Sequence, residues 1–258
     1  MDLGIAGKVA VVTGSASKKG IGWAISLALA REGVDIAVAD IAFEGVDSLA
    51  QTIREMGRKA VAVKVNQGIY GEVKEGVSKI NQVLGQIDIL VNCAAITSNI
   101  GTISKMPVPA WENEININLN GPYYWIREVM PSMAKRRWGR IINISSTGGI
   151  IGSVGLPSYC ASKGGLISLT KEAALETASR GVTVNTVALG LINTGIYERD
   201  IVDPNALDSI KKRIPLGRMG DPSEVADVVV FLVSENARYI TGATLIIDGA
   251  HSLNAFLP

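Results

Sequence analysis

The chain contains a single histidine, His251, and only two cysteines, Cys93 and Cys160. Histidine-based catalytic triads and typical zinc sites need clusters that this sequence does not supply, so no metal is expected. The cysteines lie far apart with no CxxC or Cys/His spacing. They read as two isolated buried thiols in a reducing compartment. An excess of one charge is missing too, because 25 basic residues face 24 acidic ones. That balance argues against a nucleic-acid or membrane-surface partner. No apolar run approaches the ~20 residues of a membrane span. Met1-Asp2-Leu3-Gly4 does not open a basic leader with a long apolar run. The expectation is a soluble cytoplasmic protein acting on a small molecule.

What is present is apolar and regular. Of 258 residues, 47% are hydrophobic and 19% charged, enough for a large core in one unit spanning residues 1–258. Seven short apolar runs recur: Val9–Val12, Ile36–Ala39, Ala60–Val63, Ile87–Val91, Ile141–Ile144, Val182–Val184 and Leu245–Ile247. Too short for helices and too uniformly apolar for half-exposed strands, they predict parallel strands buried on both faces. Helical periodicity fills the gaps. One helix runs from about Gly22 to Arg31; Val46, Leu49, Ile53 and Met56 share a face, as do Ile69, Val73, Val77, Ile80 and Leu84. The alternation implies right-handed crossovers and an α/β, Rossmann-type doubly wound sheet of seven parallel strands flanked by helices. The rhythm weakens only over about 191–220, read as an insertion that could serve as a substrate lid.

The first strand is followed by Thr13-Gly14-Ser15-Ala16-Ser17-Lys18-Lys19-Gly20-Ile21-Gly22 and then a helix. Glycines at such a junction let the backbone turn tightly and approach a pyrophosphate, whose charge a helix N-terminus favours. A structural turn would use glycine as well; the position at the first strand–helix junction favours the dinucleotide reading. The second strand ends at Asp40, whose carboxylate could accept from adenosine ribose hydroxyls and would repel a 2′-phosphate. Lys18 and Lys19 argue the other way, since they could reach that phosphate. NAD is therefore favoured as cofactor, with NADP an open alternative.

The sharpest local signal is Tyr159-Cys160-Ala161-Ser162-Lys163, in which Tyr and Lys four apart share a helix face. A phenol near pKa ~10 is a poor base at neutral pH. A neighbouring ammonium and an oxidised nicotinamide both favour the phenolate. Thirteen residues earlier stands Ser146, at a predicted strand end. Strand ends on one edge of such a sheet converge on the ligand crevice.

These motifs, in this order, resemble the single-domain branch of the short-chain dehydrogenase/reductase family. Thr13-Gly14 with Gly20-Ile21-Gly22 resembles its glycine turn, Asn92-Cys93-Ala94-Ala95 its NNAG segment, and Asn118 its helix asparagine. Ser146, Tyr159 and Lys163 match the catalytic serine and YxxxK. Leu189-Gly190 with Thr194 resembles PGxxxT, and Pro215–Arg218, Pro222–Ala226 and Thr241–Gly249 resemble the C-terminal signatures. The resemblance implies an oxidoreductase in which Tyr159 moves the proton. Lys163 lowers the phenol pKa and holds the nicotinamide ribose, Ser146 orients the substrate oxygen, and Asn118 helps position Lys163. It also implies cofactor contacts from Gly14, Ser17, Gly20, Ile21, Gly22, Asp40, Asn92, Ala94, Tyr159, Lys163, Gly190, Ile192 and Thr194, and a homotetramer or homodimer. Thr97, Ser98, Ser146, Ser153, Tyr159 and Leu191 are candidates to line the substrate pocket.

Three departures stand out. Five residues separate Gly14 from Gly20, longer than usual; Cys93 and Ala95 replace an asparagine and a glycine; Leu189 replaces a proline. None removes a catalytic group. The favoured activity is interconversion of a secondary alcohol and a carbonyl. The mixed residues around 196–213 lean towards a polyol, sugar or hydroxyketone. Alternatives are an NADPH-dependent carbonyl or 3-oxoacyl thioester reductase and, from another class, a non-catalytic NAD(P)-binding regulator.

Overall fold

Seven parallel strands form one sheet in the order β3-β2-β1-β4-β5-β6-β7. The computed structural model describes residues 2–97, 100–195, 209 and 211–253. The strands are β1 (Val9–Thr13), β2 (Asp35–Asp40), β3 (Ala60–Lys64), β4 (Ile89–Asn92), β5 (Gly139–Ser146), β6 (Val182–Leu189) and β7 (Thr244–Ile247). Helices α1 (Ile21–Arg31), α2 (Phe43–Glu55) and α8 (Pro222–Val233) contribute to one core layer; α3 (Tyr70–Leu84), α5 (Gly121–Arg136) and α7 (Pro157–Thr177) contribute to the other. Short α4 (Val108–Ile115) runs through a π turn at Asn116–Asn120 into α5, and α6 (Gly148–Ile151) follows β5.

The expected doubly wound parallel sheet is thus present, and all seven strands fall on the predicted apolar runs, with β6 running on past Val184 to Leu189. Burial on both faces holds for the central strands but not for β7, where Ile246 is 46% exposed. It is an edge strand, covered less than its neighbours. Two residues assigned to helix faces, Met56 and Ile69, fall just outside α2 and α3 and are exposed. Their apolar character fits the period, but each flanks an end where the buried stripe has run out.

The order reverses between β1 and β4: β1 pairs with β2 on one side and with β4 on the other, and each neighbour leads into one half of the sheet. Ligand crevices form at such a switch point, at the carboxyl ends of the strands. Thr13, Asp40, Asn92, Ser146 and Leu189 are the terminal residues of their strands at that edge. At the base of the predicted lid, Ile192 bridges Gly220 in parallel, with Asn193 N donating to Gly220 O (2.8 Å) and Gly220 N to Leu191 O (3.0 Å). The lid's own residues 196–208 and 210 lie outside the described residues. No helix among the described residues is long and apolar enough to cross a membrane.

Candidate active site

The glycine turn is built by close approach. Gly14 has φ +71°, and a Cβ there would lie 2.6 Å from Ala94 Cα. The turn therefore presses directly on the segment after β4, where Thr13 Oγ1 accepts from the backbone N–H of Cys93 and Ala94, both at 3.0 Å. A Cβ on Gly22 would meet Gly14 O at 2.4 Å, so α1 starts flush against the turn. Gly20 is the N-cap of α1; no side chain caps it and no acidic residue occupies its first turn. By contrast, α8 closes its own start, with Ser223 N donating to Asp221 Oδ1 and Asp221 N to Glu224 Oε2, each at 2.8 Å. The uncapped amides of α1 suit an anion such as a pyrophosphate. Ser17, expected beside them, is exposed in the loop and its carbonyl accepts from Gly20 N (2.8 Å).

Asp40 is doubly engaged: one carboxylate oxygen accepts from Ala16 N and the other from Ala42 N, both at 3.1 Å. It therefore braces the lengthened glycine loop, a role the sequence did not suggest. Each oxygen keeps a second lone pair for a ribose hydroxyl. A tight glycine cradle, an uncapped helix start and a carboxylate at the end of β2 together fit a dinucleotide.

At the other end of the crevice, Tyr159 lies half-buried in the first turn of α7 and Lys163 one turn later, 3% exposed. The Lys163 Nζ lies 5.6 Å from the Tyr159 ring centroid and donates to Ile144 O at 2.8 Å. Burial lowers its ammonium to about 8. Ser145 Oγ holds the backbone of the same helix, donating to Lys163 O at 2.9 Å. Ser146, half-buried at the end of β5, accepts from Gly148 N at 3.1 Å. A Cβ on Gly148 would lie 3.4 Å from both Ser146 Oγ and Cys160 Sγ, so α6 folds against both segments.

Asn118 is fully buried in the π turn. Its amide donates to Ile96 O and accepts from Ile96 N, both at 2.8 Å. This clamps the segment after β4. A contact from this side chain to Lys163 is not among its described hydrogen bonds. Gln67 adds a second clamp that sequence reasoning missed, donating to Ala94 O (3.1 Å) and Ile117 O (2.8 Å). Its only sequence signal is its place just after the third strand.

The remaining predicted residues divide. Asn92 turns inward, donating to Asn143 Oδ1 (2.8 Å). Ile21 opens α1, and Ala94, Gly190, Ile192 and Thr194 line the strand-end edge. Leu189 is the last residue of β6, in register with Ser146 and Ile247, so losing the family's proline leaves the ladder intact. Thr97 and Ser153 are exposed, Leu191 is half-buried, and Ser98 lies outside the described residues. Both cysteines are free and half-buried rather than buried. Desolvation pushes the Cys93 thiol up to about 12. No group of three or more His, Cys, Asp or Glu among the described residues could hold a metal ion.

A family model described as enoyl-(acyl carrier protein) reductase matches residues 14–251. The 3-oxoacyl-[acyl-carrier-protein] reductase FabG of Thermotoga maritima is 41% identical over 243 residues, covering 94% of this chain and 97% of that protein. The chain belongs to the short-chain dehydrogenase/reductase family. Its similarity extends to proteins of the same name from Aquifex aeolicus, 39% identical over 96% of this chain and 99% of that one, and Staphylococcus epidermidis, 37% identical over 94% and 98%. Membership makes the chain an oxidoreductase that uses a nicotinamide cofactor.

Proposed function

We propose that this dehydrogenase/reductase interconverts 3-oxoacyl and 3-hydroxyacyl thioesters, with Tyr159 as the acid/base. The names of its relatives support a thioester substrate, and the surface beside the site supports an acyl chain. Gly101 N donates to Gly155 O at 2.9 Å, joining the segment after β4 to the one after β5. Those two segments expose Ile100 (86%), Ile103 (83%), Ile151 (58%) and Val154 (103%). An apolar rim suits an alkyl chain better than a polyol. The lean towards a polyol rested on residues 196–213, most of which lie outside the described residues, and nothing in the comparisons supports it.

A bound nicotinamide supplies the hydride for carbonyl reduction or accepts it in the reverse direction. Tyr159 donates its phenolic proton to the developing alkoxide. Lys163, held by Ile144 O, favours the phenolate left behind. Ser146, already accepting from Gly148 N, directs its own hydroxyl hydrogen at the substrate oxygen and polarises the carbonyl. The glycine turn, the start of α1 and Asp40 hold the dinucleotide.

The test is absorbance at 340 nm with NADH or NADPH against acetoacetyl and longer 3-oxoacyl thioesters and an enoyl thioester, and with NAD+ or NADP+ against a set of polyols. We expect 3-oxoacyl turnover that rises with chain length. Tyr159→Phe should lower it by roughly 10²- to 10⁴-fold. Turnover of the enoyl thioester alone would favour the double-bond reduction that the family model's description names; polyol oxidation alone would restore the first reading. Cofactor binding with no turnover of any class would favour a non-catalytic regulator.

For the cofactor we favour NAD(H), because a phosphate on the ribose would meet the Asp40 carboxylate. Asp40→Asn removes the charge and keeps an acceptor for only one of the two backbone amides, Ala16 N or Ala42 N, so it disturbs the brace less than alanine, which keeps neither. Its ratio of kcat/KM for NADH over NADPH should fall about tenfold or more, equivalent to ~1.4 kcal/mol. An unchanged ratio would transfer discrimination to Lys18 and Lys19. Self-association into a dimer or tetramer is also proposed, supported by exposed Ile246 on β7 and Phe231 on α8. Sedimentation velocity reads it directly. The apolar tail Ala255-Phe256-Leu257, whose sequence suits a subunit contact, lies outside the described residues.

A further inference from the structure

The most deeply buried acidic side chain among the described residues is Glu114, at 1% exposure on α4. Burying a carboxyl group is costly unless its oxygens find donors. Ser158, itself fully buried, donates its hydroxyl to Glu114 Oε2. Ser158 is the residue immediately before Tyr159.

That contact falls where α7 has no fastening of its own. Leu156, its N-cap, offers no side-chain hydrogen bond, Pro157 follows, and the first turn holds no acidic residue. The first turn of a helix favours a negative group and polar side-chain partners. Here α4 supplies the group from across the packing interface. One turn further along the same helical run, Asn118 clamps Ile96 through two 2.8 Å hydrogen bonds. The segment 114–118 thus ties the loop after β4 with one buried polar side chain and the start of α7 with another. Lys163 is fixed independently, by Ile144 O and by the bond from Ser145 to its carbonyl. Ser158, the residue next to Tyr159, is fastened by Glu114.

We propose that Glu114 is a positioning residue for the reaction: through Ser158 it fixes the first turn of α7 and thereby the placement of the Tyr159 phenol. This rests on the reading of Tyr159 as the acid/base. Misplacement of a reacting group by about 1 Å can cost on the order of 10²-fold in rate. A group that acts only by placing Tyr159 should affect kcat while leaving cofactor and substrate binding alone.

The experiment compares Glu114→Leu, Glu114→Gln, Ser158→Ala, the Glu114→Leu/Ser158→Ala pair and Tyr159→Phe in the full-length protein. It measures kcat, KM for an acetoacetyl thioester, and the Kd of NADH by fluorescence. Glu114→Leu and Ser158→Ala should each lower kcat by roughly 10- to 100-fold, with KM and Kd within about twofold of wild type. Glu114→Gln, which can still accept from Ser158, should recover to within about threefold. The double variant should be no slower than the slower single one, as expected of partners in one contact. Wild-type kcat in Ser158→Ala would overturn the proposal even if Glu114→Leu failed to fold. So would equal loss in Glu114→Gln and Glu114→Leu, or a parallel collapse of kcat and cofactor affinity. If Tyr159→Phe stayed fully active, the underlying reading of Tyr159 would fail instead, and the two failures are distinguishable.

Discussion

Lys163 holds a positive charge where water hardly reaches, and that has a consequence for stability. At 3% exposure its ammonium falls from an ordinary 10.5 to about 8. The folded value lies below the unfolded one, so between those pH values the unfolded chain binds the extra proton. Keeping the ammonium buried therefore destabilises the fold at neutral pH, and this penalty is relieved as pH rises from about 8 towards 10.5. At ~1.4 kcal/mol for each pH unit the whole effect is roughly 3 kcal/mol. Urea unfolding of the cofactor-free protein should show wild type gaining stability on Lys163→Met across that window. Parallel curves for the two proteins would mean that Lys163 is solvated. The Tyr-Lys spacing was legible because a four-residue interval is a property of helices alone. The carbonyl that holds Lys163 was not, since Ile144 O belongs to a strand nineteen residues away in sequence.

Between elements, the decisive contacts are backbone clamps. The segment after β4 carries no regular structure, yet Thr13, Gln67 and Asn118 each hydrogen-bond its main chain. Asn118→Ala would leave the N–H and C=O of half-buried Ile96 unpaired, costing about 2 kcal/mol. Thermal unfolding should reveal that loss, with a fall in kcat because the clamped segment presses on the glycine turn at Gly14. Asn118→Asp, which retains the acceptor but not the donor, should fall between. A variant as stable and active as wild type would reduce Asn118 to an ordinary buried amide. Strands were readable from sequence because burial on both faces leaves continuous apolar runs such as Val9–Val12 and Ile141–Ile144. The π turn was not, because Asn116-Ile117-Asn118-Leu119-Asn120 alternates polar and apolar residues with period two, a pattern that signals no helical turn of any kind. Glu114 was equally hidden: next to Asn113 and close to Glu112 in an amphipathic segment, an acidic residue reads as solvated until its partner is seen.

Across the whole molecule, chemistry and anchoring sit at opposite ends of the sheet. The amino end of β5 carries Arg140, 2% exposed, whose guanidinium meets Glu235 at 2.9 Å and lies 4.4 Å from the Trp138 ring. Lys8 stacks on that ring too, at 4.1 Å, and Trp138 Nε1 donates to Glu235 Oε1 at 2.6 Å. Desolvation lowers the Arg140 guanidinium and Glu235 opposes it. Glu235→Ala would strand a buried cation. Breaking a fully buried pair typically costs 3–5 kcal/mol. The Glu235 side chain is 39% exposed, so water compensates in part and about 2 kcal/mol is the better expectation. Ser146 lies six residues along the same strand, roughly 20 Å away at ~3.3 Å per residue. If the fold separates these duties, Glu235→Ala should unfold at lower urea while its kcat and KM stay within about twofold of wild type below the transition. A proportional loss of kcat would instead show that β5 transmits strain along its length, making Arg140 and Ser146 parts of one mechanical unit.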